Sequence, residues 1–232
     1  MDLAATTAFV TGANRGLGRH FAEQLLARGA TVYAGAREPS SIDLPGAIPI
    51  ALDVTDAESV AAAAAATSGV SLLINNAGSY TGASLLDGSM ADIHREMDTH
   101  YFGTLAVTRA FAPQLAENGG GGVLNVLSVL SWVTIPDYSA YSAAKSAAWS
   151  LTNALRFELA GQGTLVSALH VGFMDTDMVR HVDAPKSDPA SVAKLALDAV
   201  AVGEVEILAD DFSRQVQANL AGGVATLYPR PA

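Results

Sequence analysis

Thr7-Ala8-Phe9-Val10-Thr11-Gly12-Ala13-Asn14-Arg15-Gly16-Leu17-Gly18 is the stretch from which the rest of the chain can be read. Residues 7–11 are a short apolar run with strand character, and a helical pattern follows the glycines through Arg28. Strand, glycine turn and helix in that order open a βαβ unit. Gly12 can take the sharp turn, Gly16 leaves no side chain between backbone and a pyrophosphate, and Gly18 lets the helix approach the sheet. The free N–H groups at the start of that helix carry a partial positive charge suited to phosphate.

Outward from this turn, strand and helix patterns alternate. Residues 30–34, 47–52, 70–75, 123–128, 164–171 and 205–208 read as strands. Residues 56–66, 90–117, 138–160, 189–202 and about 210–220 read as helices. The alanine run in 56–66 combines high helix propensity with close packing, and Thr55 or Asp56 caps it. Apolar strands between helices predict a parallel sheet covered on both faces, an α/β doubly wound fold of the Rossmann type. With no repeat and no linker rich in Pro, Gly or Ser, residues 1–232 are expected to form one domain, with 222–232 extended or flexible.

Composition narrows the function. There is no cysteine, so thiol catalysis and sulfur-ligated zinc are excluded. A net charge of −10 argues against nucleic acid or an anionic membrane as partner. No apolar run reaches the roughly 18 residues of a membrane span, and residues 1–8 lack the features of a signal peptide, so a cytoplasmic protein is expected. His20, His94, His170 and His181 show no metal-ligand spacing, and no Gly-x-Ser-x-Gly elbow is present.

Thr-Gly-x-x-x-Gly-x-Gly at residues 11–18 differs from the Gly-x-Gly-x-x-Gly of most dinucleotide folds and resembles the short-chain dehydrogenase/reductase family. The resemblance covers residues 6 to about 210 and implies a sheet of about seven strands in the order 3-2-1-4-5-6-7. It also implies a dinucleotide held by Gly12, Asn14, Arg15, Gly16, Leu17 and Gly18. NAD-selective sites of this fold place an acid about 20 residues beyond the glycines. This chain has Tyr33-Ala34-Gly35-Ala36-Arg37 there, with no acid. Arg37, with Arg15, suits a 2′-phosphate, so NADP(H) is the expected cofactor, while the direction of Glu38 is open. By resemblance, Asp53 and Val54 contact adenine, and Asn76, Ala77 and Gly78 hold the strand ends and the adenosine ribose.

Tyr141-Ser142-Ala143-Ala144-Lys145 places Tyr and Lys one helical turn apart on one face. A nearby ammonium is expected to lower the phenol pKa and fit Tyr141 for acid–base work. Ser128, read as the end of the fifth strand, stands 13 residues before Tyr141, the family's interval for a catalytic serine. The resemblance implies that Ser128 orients a substrate carbonyl, Tyr141 donates the proton, and Lys145 binds the nicotinamide ribose and tunes Tyr141. Gly172, Phe173 and Thr176 match the cofactor segment after the sixth strand, with Val171 where the family has proline. His100 stands where the family has an asparagine whose backbone carbonyl holds a relay water. Two readings are open: the carbonyl alone suffices, or the imidazole joins the relay or moves the pH optimum.

Tyr80, Leu130, Trp132, Tyr138, Phe173 and Met178 are candidates for the substrate pocket, and suit a neutral hydrophobic ketone or aldehyde and its alcohol. The short stretch 177–188 predicts a small lid. Phe111, Trp149 and Phe157 lie on the two long helices by which family members associate, so a homodimer or homotetramer is expected. Rival readings are a reductase of an imine or enone, and a non-catalytic NADP(H)-sensing protein.

Overall fold

The computed structural model describes residues 1–228. Thr7–Thr11 (β1) runs into Gly16–Ala27 (α1), followed by Thr31–Ala36 (β2), Ile48–Ala51 (β3), Ala57–Ala65 (α2) and Leu72–Asn75 (β4). Met90–Met97 (α3) continues through one wider, π-helical stretch, Asp98–Gly103, into Thr104–Glu117 (α4). Then come Gly122–Val126 (β5), Ser139–Glu158 (α5), Leu165–His170 (β6), Pro189–Val202 (α6), Glu206–Leu208 (β7), Asp211–Asn219 (α7) and Gly223–Leu227 (α8). The strands form one parallel sheet, ordered β3-β2-β1-β4-β5-β6-β7, as the resemblance implied.

Strand alternation decides which helices lie on which face. Ala8 and Val10 of β1, Leu72 and Ile74 of β4 and Leu124 of β5 pack with Leu17, Phe21 and Leu25 of α1 and Val192 and Leu197 of α6. Phe9, Leu73 and Val123 point the other way, onto Val60 of α2, Phe111 and Leu115 of α4 and Leu151 and Leu155 of α5. Phe111 is 0% exposed and packs on Phe9 with ring centroids 4.5 Å apart. It therefore belongs to the core and not to an association surface, whereas Phe157 is 84% exposed.

A buried polar ladder sets the height of the helices on that second face. Asn75 Nδ2 donates to Asn125 Oδ1 (2.8 Å) and to Thr108 Oγ1 on α4 (3.0 Å). Asn125 Nδ2 in turn donates to Thr152 Oγ1 on α5 (3.0 Å). The Asn75–Asn125 bond ties β4 to β5 and the two threonine bonds fix α4 and α5 to those strands, which satisfies the amide nitrogens, while Asn75 Oδ1 is buried without a protein partner among the described residues.

Three expectations are corrected. β5 ends at Val126, and Ser128 lies beyond it. Ser128 is still extended, with the Leu127 N–H bonded to the Leu169 carbonyl (2.8 Å) and the Val129 N–H to the Val171 carbonyl (3.0 Å), and its hydroxyl accepts the Leu130 N–H (3.1 Å) and caps the short helical turn Val129–Ser131. Residues 90–117 are not one regular helix but α3 and α4 joined by the π-helical stretch. Residues 223–227, expected to be extended or flexible, are helical: Leu227 packs against the cluster of Val129, Leu130 and Tyr138, and Tyr228 Oη accepts the Thr134 N–H (2.8 Å). The rest of that expectation, for 229–232, lies outside the described residues. No helix among the described residues is long and apolar enough to cross a membrane.

Replacing Asn125 by Val strands the second Asn75 donor in the core. Asn125→Val is expected to lower unfolding stability by about 1–3 kcal/mol. The check is a shifted urea midpoint at unchanged slope.

Candidate active site

β1 and β4 are neighbours whose chains leave in different directions, so a crevice opens between their carboxyl ends. Thr11 Oγ1 accepts the N–H groups of Asn76 and Ala77 (both 2.9 Å). Asn76 Nδ2 donates back to the carbonyls of Thr11 (2.9 Å) and Gly12 (3.2 Å). Gly12 has φ +64°, a left-handed conformation that glycine adopts without strain. A Cβ on Gly18 would lie 2.2 Å from the Gly12 carbonyl oxygen, so α1 could not approach the turn with any larger residue. No side chain caps the start of α1, and its first N–H groups face the crevice.

This crevice is a cleft of about 740 Å³. Gly12, Asn14, Arg15, Gly16 and Leu17 form one wall; Gly18 lies beneath it as packing. Arg37 and Glu38 are exposed at one rim, beside Asp53 and Val54. Partial burial pushes the Asp53 carboxyl up. Hydrogen bonds from the Thr55 N–H (2.9 Å) and hydroxyl (2.7 Å), with the charge of Arg37, outweigh it and hold Asp53 below its ordinary range. Arg15 Nη1 lies 3.7 Å from Asp177 Oδ2, with both side chains largely exposed. Asn76, Ala77 and Gly78 form the floor.

Gly172, Phe173 and Thr176 close the cleft opposite the glycine turn. The Gly172 N–H donates to Asp210 Oδ2 (2.6 Å), and Asp210 Oδ1 also caps α7 by accepting the Ser213 N–H (2.7 Å). At Val171 the path is pinned without a proline ring: its carbonyl accepts from the Ser128 hydroxyl (3.3 Å) and the Val129 N–H (3.0 Å). Asp210 was missed in the sequence, although an Asp before a helical pattern is a cap signal.

Ser128, Tyr141, Lys145 and His100 meet at the inner end of the cleft. Lys145 Nζ donates to the Val126 carbonyl (2.8 Å) and lies 5.7 Å from the centre of the Tyr141 ring. Burial lowers Lys145 to about 8. Tyr141 departs from expectation, because its phenol is pushed up rather than down. Burial is the main cause and the charge of Glu96 adds to it; only a hydrogen bond with Ser128 opposes them. Desolvation of a phenolate outweighs help from an ammonium that is itself desolvated and bonded elsewhere.

His100 lies in the π-helical stretch and is 3% exposed. Nε2 is 2.9 Å from the Ser79 carbonyl oxygen and 3.3 Å from Glu96 Oε2, and the ring stands edge-on to Tyr141 at 5.1 Å. Burial, then the charge of Lys145, lowers its pKa. Glu96 was missed in the sequence; its i, i+4 spacing to His100 was the available signal.

On the substrate side, Tyr80, Leu130, Tyr138, Phe173 and Met178 line the cleft, with Ile135, Val179 and Phe212 unforeseen beside them. Tyr80 stacks on Tyr138 at 4.7 Å, and His181 covers the other face at 5.8 Å. Trp132 does not reach the cleft: it stacks on His170 at 3.8 Å and meets Trp149 edge-on, so it is core. The lid closes on itself, with the Asp175 N–H on the Ser187 carbonyl (3.0 Å) and the Ser187 N–H on the Phe173 carbonyl (2.8 Å).

Residues 6–187 match the family described as short chain dehydrogenase. The chain belongs to the short-chain dehydrogenase family. These are oxidoreductases that act on small molecules with a nicotinamide cofactor. A short chain dehydrogenase from Burkholderia cenocepacia in complex with NADP is 36% identical, with all of both chains covered and a TM-score of 0.94. Carbonyl reductase [NADPH] 2 of Sus scrofa is 31% identical across 84% of this chain and 81% of its own. A short chain dehydrogenase/reductase from Burkholderia phymatum in complex with NAD shares the fold, with a TM-score of 0.89 at 23% identity over the whole of both chains.

The lowered Lys145 pKa has a thermodynamic consequence. With a folded value of about 8 against an ordinary lysine value of 10.5, the native state disfavours the ammonium. That penalty is complete below pH 8 and fades as pH rises toward the unfolded value. Lys145→Met removes it. The stability of this variant relative to the parent is therefore expected to be most favourable at pH 7 and to fall by about 2–3 kcal/mol by pH 10. Denaturant midpoints across that range read the effect.

Proposed function

We propose that the chain is an NADP(H)-dependent carbonyl reductase, interconverting a neutral hydrophobic ketone or aldehyde and its alcohol. One observation carries the reading. Ser128, Tyr141 and Lys145 converge at one end of a cleft whose other end holds the glycine turn and Arg37. The residues fit the cofactor: a Cβ on Gly16 would come within 3.4 Å of the Thr176 side chain on the facing wall, so the bare glycine keeps the cradle open, and no side chain caps the first N–H groups of α1, which remain for a pyrophosphate.

Gly12, Asn14, Gly16 and Leu17 would hold the pyrophosphate, Arg37 and Arg15 a 2′-phosphate, and Asp53 and Val54 the adenine. Asn76, Ala77 and Gly78 would line the adenosine ribose. Tyr141 and Lys145 would bind the nicotinamide ribose, and Gly172, Phe173 and Thr176 the nicotinamide side. Bound there, the cofactor supplies the hydride to the carbonyl carbon. Ser128 directs its hydroxyl at the carbonyl oxygen and polarises it. Tyr141 gives that oxygen its phenolic proton, and the phenolate then regains a proton from solvent. A phenol pushed up by burial keeps its proton at neutral pH, the form required for reduction. Aromatic and aliphatic side chains at Tyr80, Leu130, Tyr138, Phe173 and Met178 suit an apolar substrate.

Residues 1–232 are read as a single domain acting in the cytoplasm as a homodimer or homotetramer, supported by Phe157, 84% exposed on α5.

NADPH oxidation over matched ketones, aldehydes, imines and enones tests the reaction; turnover confined to imines or enones overturns it. Tyr141→Phe is expected to lose at least about 100-fold in kcat/KM, and full activity would remove the catalytic assignment. Arg37→Asp is expected to raise the KM for NADPH at least about tenfold and leave that for NADH little changed. An unchanged NADPH KM counts against the cofactor assignment.

A further inference from the structure

Glu96 ends α3 and is 0% exposed. Oε2 accepts the Ser79 hydroxyl proton (3.0 Å) and lies 3.3 Å from His100 Nε2, while Oε1 accepts the Thr81 N–H. Burial alone would push this carboxyl up, but the bonds from His100 and Thr81 outweigh it and hold Glu96 below its ordinary range. A carboxylate is costly to bury, and such donors are the condition for keeping it charged. His100 Nε2 lies near two acceptors, the Ser79 carbonyl oxygen (2.9 Å) and Glu96 Oε2 (3.3 Å), and at longer range near one donor, the Ser79 N–H (3.4 Å); the two closer acceptors favour the hydrogen on that nitrogen. The imidazole, lowered by burial, is neutral at pH 7 and leaves the net charge of the pair on Glu96.

We propose that Glu96 is a positioning residue for the proton transfer: its buried carboxylate, gripped by His100, Ser79 and Thr81, stands as a fixed negative charge behind Tyr141 and Lys145 and sets the pH range in which Tyr141 keeps its proton. This rests on the reading of Tyr141 and Lys145 as the acid–base pair. The titratable groups packed around this charge are His100 on its own segment, Tyr80 on the loop after β4, and Tyr138, Tyr141 and Lys145 on α5. Arg95, next in the chain and on the cleft lining, pairs with Asp92 at 3.1 Å, and solvent screens its largely exposed guanidinium. The charge acts in the same direction on both partners. It raises the proton affinity of Tyr141, and it offsets part of the burial that lowers Lys145. Tying the 79–81 loop to α3 would need only hydrogen bonds; a carboxylate adds a long-range field in a site with little water to screen it.

The test is the pH profile of kcat/KM for NADPH-dependent reduction in Glu96→Gln, which keeps the shape and removes the charge. Without the charge both the Lys145 ammonium, already near 8, and the Tyr141 phenol lose their protons more readily, so the high-pH limb is expected to move down by about half a unit to one unit. Turnover at the optimum should fall no more than about tenfold, and Glu96→Asp should restore the parental limb. Tyr141→Phe is measured alongside. If it stays active, the acid–base reading fails. If it is inactive and the Glu96→Gln limb lies within about 0.2 unit of the parent, this inference alone is overturned. Should Glu96→Gln not fold, Glu96→Met removes the charge without a buried amide to satisfy. If neither yields folded, NADPH-binding protein, Glu96 is a structural tie and the proposal falls.

Discussion

The hydroxyl of Thr11 holds the crevice in shape. It stands at the end of β1, where the order of the sheet reverses, and takes the N–H groups of Asn76 and Ala77 from the end of β4. Asn76 answers by binding the two carbonyls that begin the glycine turn. Two loops from different strands thereby become one rigid lip. The close approach of α1 through Gly18, the open N–H groups of its first turn and the floor at Ala77 and Gly78 all depend on that lip. The asparagine ladder continues the same logic inside the sheet, registering α5, and with it Tyr141 and Lys145, against the strands that carry the lip.

Electrostatics in the site run against the protein as a whole. The chain carries a net charge of −10, yet three exposed arginines, Arg15, Arg37 and Arg95, and a set of backbone N–H groups line the cleft. Deeper in, burial dominates: it lowers Lys145 and His100 and raises Tyr141. Those groups are tuned chiefly by the absence of water, and by the one carboxylate that keeps its charge among them.

Much of this was legible in the residues. The glycine turn, the alternation of strand and helix and the Tyr-x-x-x-Lys spacing are local patterns, and each landed where its period placed it. The errors fall where distant contacts decide. Ser128 was read as the last strand residue; β5 ends two residues earlier, and the Ser128 hydroxyl caps the turn that follows. Phe111 was assigned to an outer helix face, since periodicity cannot say which side of a helix meets Phe9. Trp132 was placed in the pocket, and a stacking partner 38 residues away removed it. Glu96 was passed over: its i, i+4 spacing to His100 was visible, but its other donors, Ser79 and Thr81, come from a loop that folds back over α3. The direction of the Tyr141 shift depends on burial, which a spacing does not contain.

Two main-chain bonds clasp residues 173–187 into a loop closed upon itself. Such a loop is a module. Its ends are fixed relative to each other before its tip meets anything, so its length and side chains can change without disturbing the strand it leaves or the helix it enters. Tyr141, Lys145 and Ser128 lie on other elements. Divergence toward new substrates can therefore proceed by rewriting the part of this insert beyond Thr176, while Ser128, Tyr141 and Lys145 stay untouched.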